Sequence, residues 1–188
     1  MKTAFKSALL LLCFCLALQS ADAQGHSRKD KLTEDKLEGR KETYEGTYQL
    51  PFPDVWNIIK ESINEIGCQI ESAKPITTDE GTYKGKIQST FCILVRSDDT
   101  TDVVLNRYAM EVPYIRAGVW TSGRMQYTFY VVEQDNGDVN VRLKGELSGY
   151  EDHVTSKFHY FESNRILEEK LYKIIEGKIA AMMAESDG

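Results

Sequence analysis

The spacing of hydrophobic positions changes several times along this chain, and each change marks an element. From Thr43 to Leu50, β-branched and aromatic residues predict a strand, stopped by Pro51-Phe52-Pro53. Pro53 or Asp54 can open a helix, since the first turn does not need the amide that proline lacks. Val55, Trp56, Ile59, Ile63 and Ile66 then recur at three- and four-residue spacing, giving one apolar face that ends at Gly67. Beyond Gly67 the period falls to two, or to short apolar runs, over Cys68 to Ala73 and Gly81 to Ser89, with Pro75 to Glu80 as the connecting turn. Phe91 to Val95 restarts the sheet and Arg96 to Asp102 reads as a polar loop. Val103 to Val112, with Val104, Tyr108, Met110 and Val112 on one face, predicts another strand.

The clearest signal is Asp135-Asn136-Gly137-Asp138, a hairpin turn flanked by two alternating runs. Met125, Tyr127, Phe129 and Val131 precede it; Val139, Val141, Leu143 and Leu147 follow. Alternation means that one face of the sheet is covered and the other meets water, as in antiparallel sheets. The cover is a last helix from Ser163 or Asn164 to about Met183. Its inner side would carry Leu167, Leu171, Ile174, Ile175, Ile179 and Met182, with Glu168, Glu169, Lys170, Lys173 and Glu176 opposite.

This order is strand, short helix, an antiparallel run of five or six strands, then a long terminal helix. It resembles the helix-grip (Bet v 1/START-like) superfamily over residues 43–183. The resemblance is carried by "YQLPFPDVWNIIKESINEIGCQIESA" and by "SNRILEEKLYKIIEGKI". Among exported members it is similar in style to the helix-grip modules of BamC-type outer-membrane assembly lipoproteins. The fold class expected is α+β, a helix-grip-like antiparallel sheet of about six strands. The resemblance implies a cavity or groove between the long helix and the concave sheet face, lined by Tyr108, Met110, Tyr127, Phe129, Val141, Leu143, Leu171 and Ile175. Ordinary core packing is the competing role for each of these side chains.

The first 23 residues read as a cleavable signal peptide: Lys2 and Lys6, an apolar run from Ala8 to Leu18, and Ala21-Asp22-Ala23 before Gln24. An exported protein, periplasmic or secreted, is therefore expected. No segment reaches the roughly 20 apolar residues that a membrane span needs. Cys13 and Cys15 follow Leu12 and Phe14, where a lipoprotein signal has a small residue. Residues 24–41 hold only Leu32 and Leu37 among mixed charges and read as a flexible tether, which leaves 42–188 as one domain.

Without the signal peptide the chain has 21 basic and 28 acidic residues, a net charge of −7, which argues against nucleic acid as a partner. Cys68 and Cys92 remain, and in an oxidising compartment they can form a disulfide or stay as two buried thiols.

Hydrolase elbows, zinc-protease pairs, phosphate loops and dinucleotide fingerprints are absent, and no cofactor or metal is expected. His153 and His159, near Glu151 and Asp152, lack a metal-site spacing, and a solvated loop is the expected setting. Asp98, Asp99 and Asp102 lack the order of a calcium loop. Gly145 interrupts an apolar strand face and marks a bulge or room for a ligand. Trp120, between Gly118 and Gly123, is expected at a hairpin tip, either as a contact for a ligand or partner or folded back onto the core. The expected function is non-catalytic binding of a hydrophobic small molecule or lipid between helix and sheet. The alternative is a module that docks an envelope protein.

Overall fold

A computed structural model describes residues 40–41, 43–94 and 100–186. The expected signal peptide, most of the expected tether, and Asp98 and Asp99 lie outside the described residues. Strand β1 (Tyr44–Tyr48) leads through Pro51 into helix α1 (Phe52–Glu65), where Pro53 sits in the first turn and Gly67, at φ 81°, turns the chain away. Strands β2 (Ile70–Thr77) and β3 (Tyr83–Ser89) pair antiparallel around a turn at Thr78 to Thr82. Pro75 falls inside β2 instead of opening the turn. It is tolerated because β2 is an edge strand, pairing only with β3.

After the short β4 (Cys92–Ile93), the predicted strand at Val103 to Val112 is replaced by helix α2 (Thr101–Tyr108). Three local features select the helix. Thr100 caps it by accepting from the Val103 amide, Asp102 lies in the first turn and Arg107 in the last, the charge order that a helix dipole favours. Consecutive Val104 and Leu105 are buried while Val103 is exposed, so the alternation read from the sequence is incidental. Leu105 lies against Gly123 and Gly149, where a side chain on either glycine would displace it.

Strands β5 (Trp120–Glu133) and β6 (Val139–Glu151) form the long hairpin, with Gly137 at φ 84° in its turn. Strand β7 (Lys157–Phe161) follows where a solvated loop was expected, and helix α3 (Ile166–Ser186) ends the fold. Among the described residues there are thus three helices and a seven-stranded antiparallel sheet, one strand more than about six. The sheet order is β1-β6-β5-β3-β2; β4 extends the edge on β5, and β7 the edge on β6.

The β5–β6 register pairs Met125 with Leu147, Tyr127 with Gly145, Phe129 with Leu143 and Val131 with Val141. These odd-numbered side chains meet α1 and α3 in the core, with Ile59, Ile63, Leu171 and Ile175. Gly145 lies in regular register, so it is not a bulge. Its vacant side-chain position is filled by the Met125 methyl and the Glu168 carboxylate. Gly85 has the same use on β3, where the Trp56 ring takes the space of a side chain.

Glu151, at the end of β6, is fully buried. Its carboxylate accepts from the amides of Val119, His153, Val154 and Thr155 and from the Thr155 hydroxyl, tying the entry of β5 to the β6–β7 turn. Burial pushes its pKa up, but the Thr155 hydroxyl and the amides of Thr155, Val154 and Val119 outweigh that and hold it well below the carboxylate range. The unfolded chain therefore takes up this proton first as pH falls, so the stabilisation is present above about pH 4.5 and is lost toward more acid pH. Glu151→Gln should melt below the parent at pH 7, and the gap should close as pH falls below about 4.5. Thermal melts between pH 7 and 3 measure this; a gap that does not change with pH would assign the effect to shape and not to charge.

Candidate functional site

The space expected between α3 and the sheet is mostly filled. Phe129, Val141, Leu143, Leu171 and Ile175 are all buried in the core. Met110 leaves α2 half-buried and donates its amide to the Glu162 carbonyl, away from the open space. Among the described residues a cleft of about 230 Å³ stays open at the start of α3, lined by Ile66, Cys68, Cys92, Ile93, Leu94, Tyr108, Tyr127, Leu167, Lys170 and Leu171. Of the predicted lining residues, Tyr108, Tyr127 and Leu171 meet here.

Four elements reach this cleft at their ends, and β5 adds Tyr127 from its middle. Ile66 and Cys68 follow α1, Cys92 to Leu94 form and follow β4, Tyr108 closes α2, and Leu167 to Leu171 open α3. A disulfide joins Cys68 to Cys92 and fixes the first two walls to each other. Closing a loop across a sequence separation of 24 residues stabilises the fold by about 3 kcal/mol on the chain-entropy view. A shallower depression of about 350 Å³, lined by Gly67, Gln69, Thr90, Phe91 and Ile93, lies on the disulfide's other side.

The cleft's chemistry is apolar with a few polar groups. Burial, then the Glu168 charge and Tyr108, push the Tyr127 phenol upward, so it is a neutral hydroxyl at physiological pH. Lys170 is exposed and offers an ammonium at the rim. Glu168 lies behind the lining. It is buried instead of facing solvent as its neighbours suggested, and it takes bonds from the Ser163 hydroxyl at 2.8 Å and the Arg165 guanidinium at 3.2 Å. Tyr44, with a buried hydroxyl lacking a partner among the described residues, is raised to about 12 by burial and by Glu169 and Glu168. Among the described residues no nucleophile–base pair touches the cleft and no three metal-ligating side chains cluster.

Trp120 is not at a hairpin tip. The tight turn comes earlier, at Ile115 to Gly118, and Trp120 is the first residue of β5, opposite Glu151. Its ring is buried edge-on to His159 at 5.2 Å and Phe161 at 5.4 Å, which plugs that end of the core. His159 also shares a hydrogen bond with the Thr155 hydroxyl at 2.8 Å.

The solvent face holds a group that the sequence did not announce. The Arg124 guanidinium lies 3.7 Å from the Phe91 ring centroid and 3.4 Å from that of Phe158, and its Nε donates to the Ser148 hydroxyl. Exposed Ile93 and Tyr160 stand in the same cross-strand row, and Tyr150 packs on Phe158 at 4.9 Å. The signal that could have found it is the even-numbered set Arg124, Tyr150, Phe158 and Tyr160, basic or aromatic side chains on one face of neighbouring strands.

No protein-family model, curated protein or solved structure matches the chain. Function is therefore read from this geometry alone.

Trp120→Ala removes a buried ring from a closed cluster and should cost about 3–5 kcal/mol of stability. Urea unfolding measures it; a midpoint unchanged from the parent would return Trp120 to the candidate contact residues.

Proposed function

We propose that this chain is an exported, non-catalytic, helix-grip-like binding domain that holds the apolar part of a small molecule or lipid in the cleft beside the disulfide. The observation that carries the reading is the cleft itself, an opening at one end of a filled core with mainly apolar walls and three polar groups, Tyr108, Tyr127 and Lys170. At about 230 Å³ it is smaller than the roughly 300–1,000 Å³ of a site that encloses a whole ligand. It therefore takes a ring or the end of an acyl chain, while Lys170 meets an anionic group at the rim.

The long helix over an antiparallel sheet supports the helix-grip part of this reading, and no helix among the described residues is long and apolar enough to cross a membrane. A fluorescent medium-chain fatty acid is the probe. The parent should bind it at a one-to-one ratio, and Leu167→Trp, which fills the cleft from α3, should weaken binding at least tenfold while the fold is kept. Equal binding by both proteins, or none by the parent, overturns the reading.

One observation favours docking of an envelope protein as a second reading. An immobilised arginine between two rings, with exposed tyrosine and isoleucine beside it, is the composition of interface hot spots. Photo-cross-linking from position 160 in the native envelope should then give one discrete adduct, lost in Arg124→Ala. No adduct, or one indifferent to Arg124, removes this reading.

A further inference from the structure

The solvent face of the sheet carries charge opposite to that of the whole chain, which has a net charge of −6. Pairing across β2, β3, β5 and β6 sets Ile76, Lys84 and Val132 in one row and Lys74, Lys86, Tyr130 and Arg142 in the next. Lys144 follows, opposite Thr128. All eight side chains other than Thr128 are exposed, on the face turned away from the helices.

None of these five cations has an ion-pair partner among the described residues. Elsewhere cations do find carboxylates: Arg40 and Lys173 meet Glu169, Arg165 meets Glu168, and Lys178 meets Glu61 and Glu65. Arg142 instead lies over the Tyr130 ring at 5.1 Å. Acidic groups border the block without entering it. Glu45 is on edge strand β1 opposite Arg142, Glu71 and Glu146 belong to later rows, and Asp79, Glu80, Asp135 and Asp138 are on the hairpin turns past the strand ends.

We infer that this face docks on an anionic membrane surface, with the cations at lipid phosphates and Ile76, Tyr130 and Val132 entering the headgroup layer. Charge complementarity calls for a polyanion, and the neighbours of the charges select which one. Four of the five cations are lysines, which protein-interface cores avoid but which suit a lipid surface, where long stems lie along apolar groups while the ammonium stays hydrated. A single-stranded nucleic acid needs several rings to stack on, and this block has one, already covered by Arg142. The inference is independent of what the cleft holds.

Vesicle co-sedimentation tests it with the purified chain, using phosphatidylcholine alone and phosphatidylcholine with 30 mole per cent phosphatidylglycerol. The parent should bind only the anionic vesicles, and less so as salt rises. Each cation near such a surface is worth about a fivefold change in partition, so Lys86→Glu with Arg142→Glu should lower binding by well over tenfold. Both positions are exposed, and a thermal melt confirms that the double variant folds. Ile76→Ser with Val132→Ser, which leaves charge alone, should weaken binding severalfold. Failure of the parent to bind anionic vesicles at low salt, or undiminished binding by the charge-reversed variant, overturns the inference. Tighter binding to polyglutamate or to a single-stranded oligonucleotide than to the anionic vesicles also overturns it, and assigns the face to that partner instead.

Discussion

The register between β5 and β6 is the constraint on which the other features depend. Once Phe129 stands opposite Leu143, alternation sends the odd-numbered side chains from Gly123 to Val131 and from Val139 to Gly149 toward the helices. The even-numbered ones between them go to the other face, and the register shift between Trp120 and Ser122 turns Trp120 inward as well. A slip of β6 by one residue against β5 would put Arg142 and Lys144 in the core and leave Val141 and Leu143 in solvent. The core, the cleft behind Tyr127 and the basic outer face are thus three results of one pairing. The turn at Gly137 sets that pairing at one end, and the Glu151 carboxylate secures it at the other by gathering the amides of both neighbouring segments.

Two buried carboxylates sit at junctions where elements must meet at fixed angles. Glu151 has backbone amides and a hydroxyl as partners, and Glu168 has a hydroxyl and a guanidinium. Each is costlier unpaired than paired, since removing a partner leaves a buried polar group unsatisfied. Arrangements that separate either one from its partners are therefore disfavoured more strongly than a missing apolar contact would be. The disulfide acts differently. It narrows the unfolded ensemble and joins the segment after α1 to β4.

Much of the fold was legible because its signals are local. Alternation around Asp135 to Asp138, the spacing of Val55, Ile59 and Ile63, and the apolar face of the last helix each specify an element within a dozen residues. Where the reading failed, a local signal was outvoted or misleading. Val104, Tyr108 and Val112 mimic a strand, but the Thr100 cap and buried Leu105 make α2. Lys157 to Phe161 carries no turn-flanked alternation and becomes a strand only because β6 extends beyond β1 and offers it an edge. Glu168 looked like a surface residue because its burial depends on Gly145, 23 positions away in sequence. The cleft was half legible: Tyr108, Tyr127 and Leu171 were expected, whereas Ile66, Leu94 and Leu167 join only through the meeting of element ends, which no periodicity encodes.

The hollow at Gly145 also governs how α3 can move. An apolar helix on an apolar sheet has no natural stop, since a slide by one turn, about 5.4 Å, exchanges one leucine for another. Here the Glu168 carboxylate fits a hollow bounded along β6 by Leu143 and Leu147, so α3 is keyed like a tooth in a notch. Leu167, Lys170 and Leu171 flank that tooth, and the cleft wall they form is therefore fixed in place. Any change in the shape of the cleft is left to rotation of Lys170 and Tyr108, side chains on its wall that the notch does not hold.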